Sequence, residues 1–166
     1  GFIVAFSDHL RLSLRAFDEL GQVPGLIAAR WCVDPDRVFL AGHSDGGTSA
    51  AALAFLRKLQ ATPRAIVLSA ASVRKQDLEA YPCAPPLSVL VLHSRRDTLF
   101  PLPVYGLEAA RWWAACNQCA AVPVAEDGLF LENVSLSARK TITIEARQQN
   151  AKKQVVRHFQ SLSAGN

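Results

Sequence analysis

The sequence predicts an α/β fold in which helices flank a mostly parallel sheet, all within one domain spanning residues 1–166. Three observations lead there. Short runs that are apolar throughout recur along the chain, as strands buried on both faces require. Stretches with helical periodicity separate them. Strand and helix alternate, an order that favours parallel pairing with helical crossovers. Half of the 166 residues are hydrophobic and 19% are charged, enough apolar material for the core of one domain.

The elements follow in chain order. Residues 2–6 (FIVAF) form the first apolar run and read as a buried strand. A helix lies between residues 17 and 31, where Pro24 and Gly25 either kink it or start it. The turn residues Asp34, Pro35 and Asp36 introduce a second strand at 37–41, RVFLA. Good helix formers such as Ala51, Leu53, Ala54 and Leu56 predict a helix over about 47–60. AIVL at 65–68 and SVLVL at 88–92 are the third and fourth strands. A helix over about 104–119 presents Tyr105, Ala109, Trp112, Cys116 and Cys119 on one face. TITIEA at 141–146 alternates with period two and is expected as a strand or hairpin arm outside the main sheet.

Composition narrows the functional classes. The net charge is +4, and the Lys and Arg residues are scattered without interleaved aromatics, which argues against nucleic acid as a partner. No apolar stretch reaches the roughly 18 residues that a membrane span needs. The first residues lack the basic region and cleavage site of a signal peptide. Met is absent from the chain, so the expectation is a piece or processed product of a longer protein. Nothing in the sequence signals an oligomeric state. Of the four cysteines, Cys116 and Cys119 form a C-x-x-C, the spacing of a redox pair or of half a zinc site. No second C-x-x-C and no His pair at ligand spacing accompanies it, so no metal site is expected. The alternatives are two small apolar residues on one helix face, or pairing with Cys32 or Cys83.

The chemistry concentrates at Gly42-His43-Ser44-Asp45-Gly46, a G-x-S-x-G between a predicted buried strand and a predicted helix. In that setting the pattern is a nucleophile elbow. The turn is tight enough to strain the backbone of Ser44, and side chains at positions 42 and 46 are expected to collide with the neighbouring helix and strand. Ser44 Oγ then stands above the carboxyl end of the sheet, where ligands bind in such folds. The N–H of Asp45, at the helix start, is placed to donate to an oxyanion. The side chain of His43 is expected to point away from Ser44 Oγ, as a packing or loop residue. Asp97 follows the fourth strand, and Ser7, Asp8 and His9 follow the first, on loops at the same edge.

Four stretches resemble one known family. VDPDRVFLAGHSDGG (33–47) is similar to the elbow region of the polyhydroxybutyrate depolymerase and feruloyl esterase group of α/β-hydrolases, where VDPxRVYxxGxSxGG is common. GFIVAFSD resembles a GFVV strand of that group, VLVLHSRRDTLFP (89–101) its strand and acid loop, and AARWWAACNQC (109–119) its W…N-x-C helix. The resemblance runs from residue 1 to about 120 and is loose from about 120 to 153. It implies an α/β-hydrolase fold, incomplete at both ends, and secretion. It implies Ser44 as nucleophile and Asp97 as triad acid, in the chain order serine, acid, histidine. His93 matches a family histidine that is not the base. The base is implied on a loop after the strand that contains His158. That loop would begin at Ser163, so the base is expected beyond Asn166, with His158 the candidate inside the sequence.

The implied reaction is acyl transfer through an acyl-enzyme, with no cofactor. The substrate the resemblance implies is an ester, polymeric or on a polysaccharide: a hydroxyalkanoate polyester or a feruloyl-type ester. The alternative is an α/β-hydrolase-like domain that has lost its base and is catalytically inactive. Trp112 and Trp113 are expected in the core rather than as a polymer-stacking platform. Asn133-Val134-Ser135 is a glycosylation sequon, with meaning only in a eukaryotic secretory setting.

Overall fold

The computed structural model describes residues 1–7, 12–60 and 62–119, together with two further strands within 131–145. Helix α1 (Leu14–Ala28) comes first, capped by Ser13, whose Oγ accepts the Ala16 N–H at 3.1 Å. It runs unbroken through Pro24. A 3-10 turn at Pro35–Arg37 leads into β1 (Phe39–His43), and α2 (Asp45–Phe55) follows one residue later. Then come β2 (Ala65–Ser69), a short α3 (Lys75–Glu79) and β3 (Ser88–Leu92). A π-helical turn at Pro103–Leu107 opens α4 (Glu108–Cys116). The last described elements are β4 (Leu131–Val134) and β5 (Thr141–Glu145).

The five strands form one sheet in the order β1-β2-β3-β5-β4. β1, β2, β3 and β5 are parallel, and β4 runs antiparallel beside β5. β2 and β3 are buried along their whole length, as their uninterrupted apolar sequences require. Their side chains alternate between two layers. Ile66, Leu68, Val89 and Val91 join Phe17 of α1, Leu78 of α3, Trp113 of α4 and the buried length of α2 in the main core. Val67, Leu90 and Leu92 cluster separately. Every residue of α2 from Ser49 to Phe55 is buried, and its small side chains let the helix lie close on β1 and β2.

Several expectations are corrected. Residues 2–6 form no strand, and Phe2, Ile3, Val4 and Phe6 are all more than half exposed. An apolar run supplies the side chains of a strand, but its backbone also needs a neighbour, and the neighbour of β1 in the sheet is β2. β5 lies inside the main sheet, with Val89 opposite Ile142 and Leu92 opposite Glu145, rather than outside it. Period-two alternation signals a strand but says nothing of its partner. α2 ends at Phe55, short of residue 60, because Arg57 turns left-handed at φ 53°. The Arg57 and Lys58 N–H groups then close the helix on the carbonyls of Ala54 and Leu53. The buried residues of α4 are Ala109, Ala110 and Trp113, continued by Gly106 before it and Asn117 after it; Ala109 is as predicted, while Trp113 and Asn117 take the places predicted for Trp112 and Cys116. Trp113 is fully buried and Trp112 packs edge-on against it at 4.8 Å, so the pair belongs to the core. The predicted last strand around His158 lies outside the described residues.

The end of α4 is fastened to the chain entering β3. Buried Asn117 donates through Nδ2 to Leu87 O at 2.7 Å and accepts the Leu87 N–H on Oδ1 at 3.2 Å. Its amide stands in for a strand neighbour at the point where β3 begins. One residue earlier, Cys116 is disulfide-bonded to Cys83. Asn117→Ala is expected to lower unfolding free energy by about 2–4 kcal/mol, since it leaves a buried N–H and a buried C=O unpaired. Reducing the disulfide, which spans a sequence separation of 33, is expected to cost about 3–4 kcal/mol in chain entropy. Denaturant titration of oxidised, reduced and Asn117→Ala protein checks both.

Candidate active site

The in-register parallel strands bring their carboxyl ends level: His43 stands opposite Ser69, and Ser69 opposite Leu92. The ladder extends one residue further, with Ser44 N–H on Ser69 O and Ala70 N–H on Leu92 O, both at 2.8 Å. At this edge Ser44 takes φ 55° and ψ −120°, a conformation that costs a side-chain-bearing residue on the order of 1–3 kcal/mol. It is one of four described non-glycine residues at positive φ. Arg57 and Gln118 are ordinary helix-ending positions and Ala70 directly follows β2, whereas Ser44 joins a strand to a helix.

The reason for the strain is a close approach. A Cβ on Gly42 would lie 2.0 Å from the carbonyl carbon of Gly46 and 2.1 Å from its oxygen. Position 42 therefore excludes every side chain. The expected collision at Gly46 is not found: a Cβ there would meet nothing within 4 Å. The second cramped position is Gly47, where a Cβ would lie 3.0 Å from Ser69 O and 3.1 Å from Gly42 O. The helix departs so that its third residue, not its second, rests on the strands.

Ser44 is half-buried, and its Oγ makes no capping bond to α2. Its carbonyl accepts from Thr48 N at 3.0 Å and from Thr48 Oγ1 at 3.2 Å, which anchors the first turn. Thr48 Oγ1 also accepts the Ser72 N–H at 2.9 Å, tying the loop after β2 to that turn. The amide of Asp45 opens α2, where first-turn N–H groups have no intrahelical acceptor and the helix dipole favours negative charge. Ser44 thus immediately precedes a backbone donor at a helix start.

His43 is exposed, and its Nδ1 lies 3.0 Å from Ser69 Oγ, a contact across the strand ends rather than with Ser44. Asp97 sits past the end of β3 on the same edge as Ser44, with β2 between them. Two strand spacings separate the strand ends by about 10 Å. Among the described residues no hydrogen bond joins Ser44 to Asp97. Asp97 Oδ1 accepts the N–H groups of Leu99 at 3.0 Å and Phe100 at 2.8 Å, while Oδ2 lies 3.6 Å from Nε2 of buried His93. His9 and the candidate base His158 lie outside the described residues. Ser69, Leu99 and Phe100, which shape this edge through backbone or hydroxyl groups, escape a sequence reading because those contacts leave no residue-type pattern.

The thiols do not assemble a rival centre here. Cys116 pairs with Cys83 rather than with Cys119. Cys119 is a half-buried free thiol whose pKa burial pushes up, and Cys32 is free and exposed. Among the described residues no three His, Cys, Asp or Glu side chains group to hold a metal. No described helix is long and apolar enough to cross a membrane. A depression of about 370 Å³ between Leu14, Phe55, Tyr81 and Pro82 lies at the far end of α2 from Ser44.

No family model matches the chain, and no curated protein matches it in sequence. Solved structures do. Two crystal structures of variants of Arabidopsis thaliana SOBER1 each match with a TM-score of 0.60 and 13% sequence identity, covering 91% of this chain. The chain spans 63% of the length of one and 64% of the other. At that identity the likeness speaks for the fold alone, and the parallel sheet with its flanking helices is the α/β-hydrolase fold.

Proposed function

We propose that this chain is the core of a serine carboxylic ester hydrolase that works through an acyl-enzyme. The observation that carries the reading is the backbone of Ser44. A non-glycine residue is held at positive φ between a strand and a helix, with its hydroxyl uncapped beside the opening amide of α2. A protein has little reason to hold a serine in so costly a shape unless its exposure serves chemistry. In the reaction a histidine removes the Ser44 proton as Oγ attacks the ester carbonyl. Asp97 orients and stabilises the resulting imidazolium. The Asp45 N–H and a second donor hold the oxyanion. The alcohol leaves with a proton from the imidazolium, and water then releases the acid. None of these steps calls on a metal or an organic cofactor.

His158 is the candidate base in this sequence. The ester classes favoured by the sequence resemblance are hydroxyalkanoate polyesters and feruloyl-type esters. The Cys83–Cys116 disulfide supports an oxidising compartment and hence secretion. A second reading, an inactive hydrolase-like domain, draws on the two described histidines: His43 contacts Ser69, and His93 contacts Phe100. Neither contacts Ser44.

A fluorophosphonate probe separates the two. Labelling at Ser44, located by peptide mass spectrometry and abolished in Ser44→Ala, is the expected result. Because the base is expected beyond Asn166, the test is made on the protein with that segment present: folded and still resisting the probe, it sinks the esterase reading in favour of the inactive domain. The elbow makes a second, sharper expectation. Gly42→Ala should abolish labelling and lower the melting temperature, because the new methyl meets backbone that cannot yield. Gly46→Ala should keep labelling and hold or raise stability by about 0.5–1 kcal/mol, since it adds a helix former in open space.

A further inference from the structure

The acyl-transfer chemistry makes no use of His93, yet this residue is among the most enclosed polar groups of the described residues. It follows β3 directly, and its side chain is 1% exposed. Nε2 lies 2.5 Å from the carbonyl oxygen of Phe100. A carbonyl only accepts, so Nε2 carries the proton and donates it. Gly106 closes the other side: a Cβ there would lie 3.1 Å from both Cβ and Cγ of His93. Any side chain at position 106 would press on the histidine. Phe100 is further steadied by an edge contact between its ring and Tyr105, with centroids 5.2 Å apart.

Phe100 links this histidine to the acid. Its carbonyl accepts from His93, and its N–H donates to Asp97 Oδ1 at 2.8 Å. Leu99 N–H adds a second bond to the same oxygen at 3.0 Å. Oδ1 is thereby occupied by backbone donors. Oδ2 stands 3.6 Å from His93 Nε2, beyond hydrogen-bonding length, and remains open to another partner.

We propose that His93 is a positioning residue: by holding the Phe100 carbonyl it sets the Phe100 amide, which orients the Asp97 carboxylate so that Oδ2 is presented to the catalytic base. The inference rests on the acid role assigned to Asp97 in the proposed function. His93 does not touch substrate or the reacting atoms.

The test is amide hydrogen exchange by NMR on the full chain, in wild type, His93→Leu and His93→Gln. Leucine fills the space without a donor, and glutamine restores a donor near the position of Nε2. The expected result is exchange about tenfold faster at Leu99 and Phe100 in His93→Leu, with Val67 and Leu90 at wild-type rates. His93→Gln should recover most of the protection. Unchanged exchange at Leu99 and Phe100 in a folded His93→Leu overturns the proposal, and so does failure of glutamine to restore it. If His93→Leu does not fold, the imidazole nitrogen spectrum of wild type decides: the Nε2–H tautomer supports the proposal and the Nδ1–H tautomer overturns it. Labelling of Ser44 by the fluorophosphonate should slow about tenfold in His93→Leu and recover in His93→Gln, and an unchanged rate overturns the catalytic consequence. A wild type that takes no label at all, with the exchange pattern as expected, counts against the esterase reading and not against the role of His93.

Discussion

The structure turns on a contact between two pieces of backbone. Gly42 lies so close to the carbonyl of Gly46 that no side chain fits between them. That approach forces the chain to reverse within one residue, and Ser44 takes the strain. It also starts α2 where it can lie along β1 and β2 with Ser49 to Phe55 buried. Burial of so many small apolar groups on a rigid sheet is the kind of term that offsets a locally strained residue. Strain at Ser44 and packing of α2 are two aspects of one geometric constraint.

The sheet converts that local event into a site. Parallel strands in strict register end together, so loops distant in sequence rise from one edge. Ser44, Ser69 and the loop bearing Asp97 are neighbours for that reason alone. The other end of the assembly is held by different means. Asn117 and the Cys83–Cys116 disulfide fix α4 to the start of β3, the strand whose far end leads to the loop bearing Asp97. These fastenings lie at the opposite end of the strands from the strained backbone of Ser44. The division keeps strained backbone and exposed polar groups away from the interactions that hold the domain together.

Much of this is legible in residue order. β3 matches its expected bounds, and β1, β2, α2 and α4 occur where the apolar runs and helix formers put them. Ser44 as a strained strand-to-helix residue, and Asp97 on a loop at the same edge, follow from G-x-S-x-G and from position after a buried run. Other features are not legible, for definite reasons. The run at 2–6 has strand composition, but a strand exists only with a hydrogen-bonded neighbour. TITIE reads as a strand, yet nothing in alternation names β3 as its partner. Of the adjacent Trp112 and Trp113, periodicity selects the first and the packing buries the second. Glycine at 46 looks as necessary as glycine at 42 in the motif, and only the exit angle of the helix shows that the tight positions are 42 and 47.

Taken alone, the sequence determined the class of the fold, the alternation of its elements and the identity of the serine that the chain holds in a strained turn. These follow from local physics: burial on one or two faces, backbone propensity, and the need for glycine where chains touch. Tertiary structure decided which strands pair, which cysteine Cys116 bonds, and which atoms hold Asp97. Those outcomes depend on groups far apart in sequence meeting in space, and backbone amides such as those of Leu99 and Phe100 are present at almost every position. Their selection is made by the path of the folded chain and by nothing in the identity of the residues that carry them.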